Sequence, residues 1–64
     1  MKFPSKEARL DWLRKTAVEI RRLEEQRARC IMDGDFGKAF SLLKAINFAK
    51  DEFRKVSLWL RKHH

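Results

Sequence analysis

Few residues in this chain are of a type that does covalent or metal chemistry, and their spacing excludes most of it. Cys30 is the single thiol. No histidine lies near it in sequence to serve as the base that activates a thiol nucleophile. His63 and His64 are adjacent at the end of the sequence, not set apart as chelating pairs, so a zinc site lacks both ligands and spacing. The stretch MDGDFGKAF, Met32 to Phe40, brings Asp33 and Asp35 together with both glycines, Gly34 and Gly37. A calcium loop would need several more oxygen ligands and a distal bidentate Glu. A phosphate loop would need Lys-Ser or Lys-Thr after the glycines. Glu24 is the one candidate for a buried acid, and a lone carboxylate without a pocket is not a mechanism. The chain is therefore read as non-enzymatic, with no cofactor, no metal and no small-molecule substrate.

What remains is the chemistry of binding. The 16 Lys and Arg against 9 Asp and Glu leave a net charge of +7. Such a surplus suits nucleic acid, an anionic membrane or an acidic protein. It also serves simply to keep a surface solvated. At helical spacing Lys44, Lys55 and Lys62 fall on one line beside Phe48 and Trp59. Cations interleaved with aromatics can hold single-stranded nucleic acid by phosphate contact and stacking. Arg21, Arg22 and Arg29 would extend that track, but Asp11, Glu19, Glu25, Asp51 and Glu52 interrupt it.

The elements that must position these groups are two helices. Ser5 follows Pro4 and suits an N-cap, with Glu7 in the first turn near the positive end of the dipole. Apolar residues then recur at Leu10, Leu13, Ala17, Ile20 and Ile31, with Trp12, Leu23, Ala28 and Cys30 flanking that stripe. After the corner, Ala39, Leu42, Ile46, Ala49, Phe53, Val56 and Leu60 make an unbroken 3–4 repeat, the seam of a coiled coil or bundle. Gly34 suits the left-handed position that ends the first helix, and Asp35 the N-cap of the second. Gly37 is expected to let the neighbouring helix approach closely. Arg61, Lys62 and His63 place cations at the negative end of the second helix. The fold expected is all-α: an antiparallel two-helix hairpin, about 6–32 and 36–62, in one domain spanning 1–64.

At 64 residues, such a chain buries only about 60% of the surface its unfolded form exposes. Without disulfide or metal, self-association or idealised helix packing is the remaining support. Two sequence features point the same way. Continuing the first helical stripe lands on Glu24 and Arg27. They are either a solvent-facing end of the stripe or a polar layer that sets register inside an oligomer, and the layer is the expectation. On the second helix, Phe48 and Trp59 share one off-seam line and Phe40 and Leu58 another. A single facing helix cannot cover both, so a second packing surface is expected. The predicted interface residues are Leu13, Ile20, Glu24, Arg27, Phe40, Phe48 and Trp59.

The corner GDFGKAFSLLKAI resembles the inter-helix turn of tetratricopeptide units. From Leu23 to Ile46 the chain also resembles the UVR hairpin of excision-repair proteins, at Leu23, Glu24, Phe36, Ala39, Leu42 and Ile46. Gly37, Phe40 and the Leu43-Lys44 pair depart from that pattern. The resemblance implies a protein-interaction hairpin.

The opening MKFPSKEARL has no apolar core of a secretory signal. Charge-free runs such as AFSLL, AINFA and VSLWL fall far short of the ~20 residues a membrane helix needs. One free thiol suits a reducing compartment. The reading is a small cytoplasmic regulatory or adaptor protein, of the size class of phage, plasmid or bacterial accessory proteins. It would dimerise into a four-helix bundle and bind another protein, with no membrane partner. The alternative is an RNA- or DNA-binding bundle that uses the basic face of Lys44, Lys55, Lys62, Arg21, Arg22 and Arg29.

Overall fold

A computed structural model describes residues 3–62. The chain forms two helices, α1 (Lys6–Met32) and α2 (Phe36–Lys62), each of 27 residues. At 1.5 Å per residue each runs ~40 Å. They lie antiparallel, giving a rod of 44 × 16 × 15 Å.

The helix ends follow the residues chosen for them. The Ser5 hydroxyl accepts from the Ala8 N–H at 3.1 Å, and its carbonyl from the Arg9 N–H at 3.2 Å. The first satisfies a donor that has no partner inside a first turn, and the second is the opening bond of the helix itself. At the other end α1 closes on Asp33, and Gly34 takes φ +78°. The Asp35 N–H donates to the Cys30 carbonyl at 2.8 Å and the Gly34 N–H to that of Ile31 at 3.1 Å. This pair of bonds is the Schellman closure, which requires the left-handed residue that Gly34 supplies. Asp35 then caps α2, accepting the Lys38 N–H at 3.2 Å. Stop and start signals thus share a three-residue turn, and the two helices reverse without a loop. His63 and His64 lie outside the described residues.

The expected role of Gly37 is corrected. A Cβ built there meets nothing within 4 Å, so no helix approaches it closely. It is an ordinary first-turn residue of α2.

The seam of α2 is the expected one: Ala39, Ile46 and Val56 are buried, and Leu42, Ala49, Phe53 and Leu60 are half-buried. The seam of α1 differs. Leu13, Ile20 and Leu23 face inward, but so do Thr16, Arg27 and Cys30, whereas Ala17, Ile31 and Glu24 are exposed. The true line is Leu13–Thr16–Ile20–Leu23–Arg27–Cys30, a 4–3 alternation like that of α2. It runs beside the expected line and replaces Ala17 by Thr16, Glu24 by Leu23 and Ile31 by Cys30. Leu23 and Cys30, expected only to flank the stripe, form part of it. The cause is that α1 carries apolar groups on two adjacent lines, and only the match to α2 selects between them.

Burial is shallow. Among the described residues only Ala39, Ile46 and Val56 are buried, and all three belong to α2. α1 buries none, and one neighbouring helix covers only part of the circumference of either.

Candidate interaction surface

The predicted surface residues divide among three places. At the middle of the rod, Glu24 accepts from the Lys50 ammonium across the two helices at 3.4 Å. Both side chains are half-exposed, so the pair is screened and worth little by itself. Within the hairpin Glu24 pairs with Lys50 on the outside, and Arg27 lies along the inter-helix seam. The Arg27 Nε is buried with no hydrogen-bond partner, a desolvation cost of about 1–3 kcal/mol. Leu13 and Ile20 sit half-buried in the α1 seam and hold the helices together.

At the turn end, Arg27, Ile31, Phe36, Ala39, Phe40 and Leu43 line one hollow. Its aromatic rims are open, with Phe40 59% exposed. The Lys44 ammonium lies 5.0 Å from the centre of the Phe40 ring, within cation–π range.

At the open end, the chain folds over itself. The Arg9 guanidinium is held between two rings, 3.7 Å from the centre of Trp59 and 4.6 Å from that of Phe3. Phe3 in turn meets Trp12 edge-on at 5.8 Å, a favoured arrangement of ring quadrupoles. Trp59 is therefore partly covered by its own chain, and Phe48 is left as the open member of the expected line, 71% exposed. The sequence does not announce this clasp, because Arg9 reads as one cation among 16. On the other side of the open end, Lys6, Leu10, Leu13, Ser57, Leu60 and Arg61 line a second hollow.

The basic residues are partly spoken for. The Lys55 ammonium sits 3.1 Å from Asp51 and 3.8 Å from Glu52. Its hydrogen bond to Asp51, and then the two negative charges, raise its pKa above the ordinary 10.5. Arg22 lies 4.0 Å from Glu19. Lys62, Arg21 and Arg29 are exposed, on different helices. Together with Lys44 they are dispersed along the rod, not gathered in a groove.

Among the described residues there is no cluster of three or more His, Cys, Asp or Glu suited to a metal. Nor, among the described residues, is any helix long and apolar enough to cross a membrane. No protein-family model matches the chain, and neither a curated protein nor a solved structure is significantly similar to it.

Proposed function

We propose that this chain is a small non-enzymatic regulatory or adaptor protein. It acts as a helical-hairpin homo-oligomer that binds another protein. The observation that carries this reading is the burial pattern: α1 has no buried residue, while Leu10, Ile31, Phe36, Phe40, Phe48 and Leu58 remain exposed. Apolar groups in that density on a rod 16 Å wide suit a surface that is covered in use. The resemblance of the corner to tetratricopeptide and UVR units favours the same class of function. Sedimentation equilibrium at micromolar concentration tests the self-association, with a mass of two chains expected and a clean monomer against it. Capture from a cell extract, with and without nuclease, tests the second partner. A protein retained after nuclease supports the reading, and loss of all bound material on nuclease treatment overturns it.

The alternative, nucleic acid, draws on the net charge of +7 and on Lys44 beside the open ring of Phe40. Lys55, bound to two carboxylates, contributes less to it. An affinity for RNA or DNA that falls steeply with the logarithm of salt concentration would favour this alternative.

A further inference from the structure

The cations expected to act together are dispersed, but a different set shares one side of the rod. Three hollows follow that side. Lys6 and Arg61 line the one at the open end, Lys50 and Arg54 the one at mid-rod, and Arg27 the one at the turn. Two acids answer these cations: Glu24, 3.4 Å from Lys50, and Asp51, 3.8 Å from Arg54 but closer to Lys55 at 3.1 Å. Among the described residues Arg27 and Arg61 take part in no ion pair, and the Arg27 Nε is buried without an acceptor. The opposite side is balanced. Its hollow at the turn joins Arg29 and Lys38 to Asp33 and Asp35, Arg22 stands beside Glu19 and Lys15 beside Asp11, and Arg9 is held between two rings.

The same side carries its apolar groups at two separated places. Leu10, Leu13 and Leu60 line the open-end hollow, and Ile31, Phe36 and Phe40 the one at the turn. Leu13 and Arg27, one in each hollow, are two heptads apart on α1, as Leu43 and Ser57 are on α2. That is about 21 Å at 1.5 Å per residue, or about four helical turns. We propose that this side docks a helix of a partner protein that is apolar at two points two heptads apart and acidic between and beside them. The proposal rests on the partner-protein reading above, not on self-association, and adds the surface and the chemistry of the partner. The helix lies in the groove between α1 and α2, as a third member of a bundle. Its apolar groups enter the two hollows. Its carboxylates meet Lys50 and Arg54 at mid-rod, Arg61 at one end and the Arg27 guanidinium at the other, where a charge-assisted bond offsets the desolvation that the hairpin leaves uncompensated.

Charge and shape select this occupant. A second copy would bring the same unbalanced cations against themselves, and like charges opposed across an interface repel. A single nucleic-acid strand answers the cations, but it stacks its bases on aromatic faces, and the open-end hollow is lined by leucines. An anionic bilayer takes up an apolar face that projects from the protein, whereas those leucines line a recess.

The experiment uses the full chain and two fluorescein-labelled synthetic peptides, each about 18 residues long so that it spans the groove. One is a helix former with Leu at the two anchor points and Glu between and beside them. The other has every Glu replaced by Gln. Anisotropy titrations should show the acidic peptide bound, with an affinity that falls as salt is added, and the Gln peptide at least about tenfold weaker. Arg54→Glu with Arg61→Glu should weaken the acidic peptide at least about tenfold. Arg29→Glu with Lys38→Glu, an equal change of net charge on the opposite side, should alter it less than about twofold. Arg27→Met keeps an apolar stem in the seam and removes the buried Nε, so it should raise the melting temperature while weakening the peptide. Circular dichroism accompanies each variant, so that loss of helix is not read as loss of the site. Equal weakening by the two charge reversals, or equal binding of the two peptides, overturns the proposal. So does tighter binding of oligouridine or of phosphatidylserine vesicles that Arg54→Glu with Arg61→Glu abolishes. Failure of the acidic peptide to bind, with a protein still captured from extract after nuclease, overturns this surface and leaves the proposed function standing. If nothing is captured either, both fall.

Discussion

Gly34 and Gly37 stand three residues apart and do opposite things. Gly34 holds a left-handed φ of +78°, which an L side chain adopts only at a cost of about 1–2 kcal/mol. Gly37 lies in α2 with open space where a Cβ would be. Gly34→Ala should therefore lower the free energy of unfolding by about 1–2 kcal/mol, and Gly37→Ala should raise it by about 0.5–1 kcal/mol, both read from urea denaturation. A destabilised Gly37→Ala would show that a contact at this position had been missed. A second prediction concerns Lys55. Asp51 raises its pKa above 10.5, chiefly by a hydrogen bond. The pair's contribution is thus fully present below pH 10.5 and is lost as the pH rises through the raised value. Asp51→Asn should return the Lys55 ammonium toward the ordinary lysine titration, measured by NMR. The group is solvent-exposed, so the accompanying change in stability is small.

At the scale of the helices, burial decides what matters. Ile46 is 2% exposed at the middle of α2. Ile46→Ala should cost about 2–5 kcal/mol, as truncations of buried aliphatic groups do, which is enough to abolish the thermal transition of so small a chain. Glu24→Gln breaks a half-exposed ion pair and should change stability by less than about 1 kcal/mol. Circular dichroism melts of the two variants decide between them. The elements themselves were legible, for a physical reason. Ser5, Gly34 and Asp35 act locally, through hydrogen bonds to backbone groups within a few residues, so their effect is written in short sequence windows. The α2 seam was legible because all seven of its positions are apolar. The α1 seam was not. Thr16, Arg27 and Cys30 hold seam positions although Ala17 and Ile31 look better suited, and the choice depends on residues of α2 far away in sequence. The Arg9 clasp between Phe3 and Trp59 was hidden for the same reason. Pattern reading sees one helix at a time, and that contact joins both ends of the chain.

For the molecule as a whole, the proposed self-association would couple stability to assembly. A dimer is favoured by mass action, so the melting temperature should rise with protein concentration, whereas a monomer's would stay constant. Phe48→Glu puts a charge on the open ring of the expected second packing surface and should flatten that dependence without loss of helix at low temperature, which scanning calorimetry over a hundredfold concentration range would show. The absence of any buried residue in α1 has a further consequence, for the lifetime of the chain. Segments with few buried contacts open at small free-energy cost, and proteases cut the open form in proportion to its population. Much of the chain's complement of 16 Lys and Arg lies along α1, ready for trypsin-like cleavage once that helix frays. In the proposed self-association each copy would protect the α1 of the other, so a scarce population would be degraded quickly and an abundant one slowly. The half-life would then act as a threshold on the amount made, set by the same uncovered helix.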